Sequence, residues 1–177
     1  MKTNMPVTNT EITFDDSQFM LTKTDTNGVI TYANQDFIKV SGFSEAELVG
    51  SNHNMVRHPD MPVEAFEDMW RNLKAQKPWT GMVKNRTKSG DFYWVIANAA
   101  PIVENGKVTG YLSARRKPSR QQVEIATDAY HQFKLGNAKG MQIFEGKVVQ
   151  NTTSNKLRSR FQNTSLDVYK RQTYSSY

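Results

Sequence analysis

Three glycine-bearing corners cut this chain into strand-length pieces. Asn27-Gly28 sits between two short runs rich in apolar and β-branched residues, 19–23 and 29–33. Both residues of that pair tolerate positive φ, and Asn-Gly between such runs is the strongest short-range hairpin signal. Lys88-Ser89-Gly90-Asp91 separates 79–86 from 92–103, and Glu104-Asn105-Gly106-Lys107 separates 92–103 from 108–115. Strands joined by corners this tight pair antiparallel, so a sheet of about five antiparallel strands is expected.

Between the first two strands and the last three lies a helical insert. Asn34 is a capping residue ahead of a short helix that Ser41-Gly42-Phe43 breaks. Ser44 followed by Glu47 has capping-box spacing. Residues 51–62 read as an irregular loop. Pro62 suits the first turn of a longer amphipathic helix, in which Phe66, Met69 and Leu73 fall at i, i+3 and i+7 with Trp70 adjacent. The fold class expected is α+β: one antiparallel sheet, with helices on one face and a pocket between the two layers.

Organisation follows from where these patterns stop. Residues 1–18 are polar without sustained period and read as a flexible lead-in. The main domain runs over 19–117. Pro118 closes it, and 118–150 reads as a connector. In it Val123, Ala126, Tyr130 and Phe133 form a helical stripe, Gly136 stops the helix, and a small hairpin turns at Glu145-Gly146. Residues 151–177 lose period, turn rich in Ser, Thr, Asn and Arg, and are expected to be disordered. The net charge of +6 is uneven: 14 Lys/Arg against 13 Asp/Glu up to residue 118, then 9 against 4. A near-neutral domain carries a basic tail, read as a solvated end without a folded basic face.

Several chemistries are excluded by composition. The chain has no cysteine. That removes disulfides, thiolate metal sites, cysteine nucleophiles and the light-sensing flavin domains that need a cysteine for a photoadduct. No apolar run approaches the roughly 20 residues that span a bilayer, and the N-terminus lacks a signal-peptide core, so a soluble, non-exported chain is expected. There is no GxGxxG and no GxxxxGK[ST], and no nucleophile–base–orienter set stands out, so an enzyme is not expected.

Longer stretches carry a family likeness. Asp25 through Asn34, Ser41-Gly42-Phe43-Ser44 through Gly50, and Lys88 through Trp94 resemble the corresponding pieces of PAS domains in general. A sharper match is His53-Asn54-Met55-Val56-Arg57-His58-Pro59-Asp60-Met61-Pro62, then Phe66, Met69-Trp70, Pro78-Trp79-Thr80-Gly81 and Val83-Lys84-Asn85-Arg86. This set is similar to the PAS domain of bacterial aerotaxis receptors. The resemblance covers about 18–150 and weakens after 117. It implies a PAS fold, noncovalent FAD and redox sensing in energy taxis, with signalling to a chemotaxis module, a homodimer allowed, and no nucleic acid. The location implied is the cytoplasmic face of the inner membrane. It maps flavin-associated residues onto Asn34, Arg57, His58, Asp60, Trp79 and Asn85. The C-terminus departs from the family, which continues through a membrane anchor into a signalling domain. Residues 151–177 do not resemble that continuation and are expected to be a fragment or foreign end.

The same residues have physical readings of their own. Trp79 is either a flat partner for isoalloxazine or adenine, or a core residue. Asn34 is either a flavin-edge ligand or a helix cap. Asn85 alternates with Val83 along its strand, so the two share a face and the amide points inward with Val83. Arg57 suits a phosphate, or an ion pair with Asp60 that stiffens the loop. His58, ahead of a proline, is biased to extended backbone and can bond to flavin or to a neighbouring strand. His53, His58 and Asp60 match no standard metal spacing, and the 62–75 helix carries no histidine for haem. The functional expectation is an FAD-binding PAS redox sensor; the alternative is a cofactor-free PAS module serving dimerisation or scaffolding.

Overall fold

The computed structural model describes residues 4–151. Its first hairpin is the Asn-Gly corner: β1 (Met20–Thr24) and β2 (Ile30–Ala33) pair antiparallel, with Thr22 opposite Ala33. The corner is tied by Asp25, whose Oδ1 accepts from the backbone N–H groups of Asn27 and Val29. Three longer strands follow the helical insert: β3 (Trp79–Arg86), β4 (Phe92–Glu104) and β5 (Lys107–Arg116). All neighbours are antiparallel, in the order β2-β1-β5-β4-β3. The first hairpin therefore joins the sheet through β1 against β5, and β3 is left as an edge.

The insert forms as its caps dictate. α1 (Gln35–Ser41) starts at Asn34, whose Oδ1 accepts from Phe37 N–H, and stops at Gly42 in the left-handed region (φ 73°). α2 (Glu45–Leu48) has the full Ser44–Glu47 capping box. A 3-10 turn, His53–Val56, occupies part of the expected loop. α3 (Val63–Lys74) follows Pro62.

The segment after Pro118 crosses to the other side of the sheet. α4 (Arg120–Lys134) starts with a Ser119–Gln122 capping box. Its buried Tyr130 donates from Oη to the Met82 carbonyl at 2.8 Å and lies against the Trp94 ring. Trp94 alternates with Tyr93 and Val95, so α4 covers the face of β3 and β4 opposite α3. The last elements are a hairpin, β6 (Met141–Phe144) and β7 (Lys147–Gln150). The basic tail expected from 151 lies, beyond Asn151, outside the described residues.

Residues 4–18 differ from the flexible lead-in expected of them. Thr8 N–H donates to the Gly90 carbonyl, Ile12 N–H to that of Phe92, and Phe92 N–H to that of Thr10. Phe14 is buried edge-on to Tyr93. The segment shows no period because its backbone partners belong to a strand about 80 residues away, which no local pattern reports.

Candidate functional site

The two layers do not close on each other. Between α3 and the sheet lies a cavity of about 380 Å³, inside the range of ligand pockets. One wall is the α3 stripe Phe66, Met69, Trp70 and Leu73. The sheet supplies Val83 and Asn85 from β3, Ala97 and Ala99 from β4, and Tyr111, Ser113 and Arg115 from β5. The 3-10 turn adds His53 and Val56, followed by Arg57. Exposed Asn27, Asn52 and Asn54 mark the mouth, where Trp70 and Tyr111 meet edge to face at 5.2 Å. The apolar face predicted for α3 is thus a cavity wall.

The polar lining has one sign. It contains two guanidinium groups, Arg57 and Arg115, and no Asp or Glu. Arg57 packs over the Phe66 ring at 3.6 Å, while its buried Nε and Nη2 have no partner among the described residues. Asn85 is 3% exposed and its Nδ2 is likewise unpartnered. Arg115 is 4% exposed. It donates from Nη1 to Thr22 Oγ1 at 3.0 Å and from Nη2 to His53 Nε2 at 2.7 Å. His53 Nε2 must then accept, which leaves the ring neutral with its proton on Nδ1. Burial of the ring, reinforced by the Arg115 charge, holds the His53 pKa down at about 3. Burial also lowers the Arg115 guanidinium to about 10. Tyr93 lies across the β3–β4 pair from Asn85, and burial pushes its hydroxyl up to about 12. A buried cation without an acid costs desolvation energy that a neighbouring anion or electron-rich ring would offset.

The six residues mapped from the family likeness separate. Arg57 and Asn85 line the cavity together, as bridge partners where the 57 loop pairs with β3. His58, next along the extended loop, faces away from the cavity. It packs edge-on to Phe92, and its Nδ1 accepts from Asp60 N–H. Burial and the nearby Lys84 lower the His58 pKa to about 4. Asp60 pairs with Lys84 at 2.8 Å and Lys134 at 2.9 Å, not with Arg57. Asn34 spends its amide on the fold: Oδ1 accepts from Leu21 and Phe37 N–H, and Nδ2 donates to the Phe19 carbonyl. Trp79 is buried, and its indole N–H donates to Asp68 at 2.8 Å. None of these last four lines the cavity.

Sequence reasoning missed Arg115 and Thr22 as cavity groups and considered His53 only as a metal ligand. Thr22 and Arg115 stand 93 positions apart and meet only because β1 pairs with β5. The available signal was a lone arginine at an alternating inward position of β5, Tyr111-Ser113-Arg115.

This architecture, a five-stranded antiparallel sheet with a short-helix insert enclosing a cavity, defines a sensor-type α+β domain, and residues 30–115 match the family model described as the PAS fold. The chain carries a PAS domain of the aerotaxis receptor family. It is 46% identical over 145 residues to the aerotaxis receptor of Escherichia coli (strain K12), covering 82% of this chain and 28% of that one. It is 32% identical over 94 residues to a nitrogen fixation regulatory protein of Klebsiella pneumoniae, covering 52% of this chain and 19% of that one. The chain thus spans about a quarter or less of these relatives. Among solved structures, the dark state of the blue-light photoreceptor Aureochrome1 LOV superposes with a TM-score of 0.57 at 18% identity, over 64% of this chain and 84% of that one. A light-oxygen-voltage domain studied with a flavin analogue gives 0.56 at 22%, over 68% and 89%. These two establish the fold alone. No helix among the described residues is long and apolar enough to cross a membrane.

Proposed function

We propose that the cavity binds a flavin, as FAD, and that the domain is a redox sensor for energy taxis that reports to a chemotaxis signalling module. The observation that carries this reading is the uncompensated polar lining: Arg57 and Asn85 with orphaned donors, and Arg115 without an acid, around an apolar slot. Those donors suit the carbonyl oxygens and ring nitrogens of an isoalloxazine edge, and Arg57 also suits a phosphate. Phe66, Met69 and Leu73 would exclude water from the ring, and Trp70 and Tyr111 offer flat surfaces at the mouth. When bound, a flavin supplies a reversible change of charge and hydrogen-bonding character on reduction.

The chain's own residues would read that change. Arg115 sits at full charge beside a histidine held neutral, so the wall favours added negative charge. Asn85 can turn its amide to present oxygen or nitrogen, with Tyr93 beside it as a further donor or acceptor. The cavity has the scale of a single ligand site, which supports a sensor over an oxidoreductase. The likeness to the E. coli aerotaxis receptor supports the taxis role; a chemotaxis partner and a cytoplasmic site of action are proposed with it.

The test is an absorbance spectrum of the protein purified from cells, with chromatography of the released cofactor. Oxidised-flavin bands that bleach under reductant, with FAD released, are expected. A colourless protein that takes up no added FAD would overturn the reading in favour of a dimerisation or scaffold module. Sustained turnover of a reduced donor would overturn it in favour of an enzyme.

A further inference from the structure

α3 packs along two stripes, one mostly half-buried and one buried. Phe66, Met69, Trp70 and Leu73 face the cavity; Ala65, Asp68 and Asn72, at i, i+3 and i+7, are buried on a second face. Asp68 is 0% exposed, and its carboxylate is occupied from several directions. Oδ2 accepts from Trp79 Nε1 at 2.8 Å and from Gly146 N–H at 2.7 Å. Oδ1 accepts from Glu145 N–H at 3.1 Å, and the Arg71 guanidinium lies 3.5 Å away.

Two of those donors are consecutive backbone amides in the β6–β7 turn. Glu145 (φ 49°) and Gly146 (φ 76°) are both left-handed, as a type I′ hairpin requires. Consecutive N–H groups in such turns make a concavity for an anion. Here the anion is a side chain of the helix that walls the cavity. The seat is close: a Cβ on Gly146 would overlap the Thr80 carbonyl oxygen of β3.

The route to this seat is a clasp. α4 lies on the outer face of β3 and β4. At its end Lys134 pairs with Asp60. The chain then passes the β3 edge and returns on the α3 side, where the hairpin turn closes on Asp68. A displacement of α3 by something entering or changing in the cavity moves the acceptor away from the hairpin's donors.

We propose that Asp68 is a docking latch that couples the state of the cavity to the seating of the 141–150 hairpin. The hairpin is thereby the output element. The identity of the cavity ligand rests on the flavin reading above; the latch itself rests on α3 serving both sites. Coupling of this kind is reciprocal, so releasing the hairpin must change ligand affinity by the factor with which the ligand changes hairpin seating.

The experiment uses the full chain loaded with FAD, and measures hydrogen exchange at the Glu145 and Gly146 amides before and after reduction. Exchange should differ by about five-fold or more between the two states. Asp68→Asn and Gly146→Ala should each abolish that difference and shift FAD affinity by a common factor. Gly146→Ala leaves α3 untouched and carries the test alone if Asp68→Asn does not fold. Equal exchange in both redox states, or FAD affinity indifferent to Gly146→Ala, overturns the latch while the flavin reading stands. A chain that takes up no FAD overturns both.

Discussion

The two faces of α3 handle buried polarity in opposite ways. Toward the cavity, Arg57 and Asn85 hold donors with no partner among the described residues, and the lining offers Arg115 no acid. Behind the helix, Asp68 is more deeply buried than any of them, yet both its oxygens accept hydrogen bonds. A folded chain tolerates unpaired buried donors only where something other than the chain supplies the acceptor. His58 Nε2 and Gln142 Nε2 are also unpartnered among the described residues, away from the cavity, so orphaned donors point to a ligand only where they line an apolar slot, as Arg57 and Asn85 do. Of Arg57, His58 and Asp60, near neighbours in sequence that the family likeness maps together, only Arg57 lines the cavity.

The contrast has measurable consequences. Removing the paired carboxylate should hurt most: Asp68→Ala strands three donors, the Trp79 indole and two backbone amides, and should lower unfolding free energy by about 3 kcal/mol or more in denaturant titration. A loss under about 1 kcal/mol would mean the latch is not a buried anchor. Removing an unpaired group should spare the fold and hit binding. Arg57→Ala is expected to weaken FAD by about 2 kcal/mol, roughly 30-fold, with stability of the empty protein little changed. The reverse pattern, a stability loss at unchanged affinity, would place Arg57 in the fold.

A pH titration distinguishes the two kinds of burial more gently. His53 and His58 are neutral in the folded chain, with pKa values near 3 and 4 against 6.5 when unfolded. Between those limits the unfolded chain binds protons that the folded one refuses. Their share of stability is therefore fully present above pH 6.5 and is lost as the pH falls toward 4, at up to about 1.4 kcal/mol per pH unit for each histidine. His58→Gln should flatten that slope. Smallest is Asp60→Asn: Asp60 is half exposed, and losing its pairs with Lys84 and Lys134 should cost no more than about 1 kcal/mol with FAD affinity unchanged. A large affinity loss there would return Asp60 to the cavity's account.

Much of the fold was legible because its signals are local. The Asn27-Gly28 corner and the Asn34 and Ser44 caps are satisfied within a few residues, so their spacing is their evidence. Asn85 was legible by alternation with Val83, since strand period two assigns both to one face. The second stripe of α3 was not. Asp68 lies off the apolar stripe that the helical spacing picks out, and its hairpin partners are set only by tertiary packing. Trp79 read as either a ring partner or a core residue, and its indole N–H is taken by that same Asp68.

The sequence by itself determined the element order, the antiparallel pairing of the hairpins and the shared inward face of Val83 and Asn85, because turns, caps and periodicity act over a few residues. Only the tertiary structure decided which polar groups meet. Arg115 reaches Thr22 through β1–β5 pairing and His53 where the 3-10 turn packs on the sheet, and Asp68 receives Glu145 and Gly146 from a turn 77 and 78 residues downstream. The energy of a buried charge depends on what surrounds it in space, and that is set only when distant segments pack.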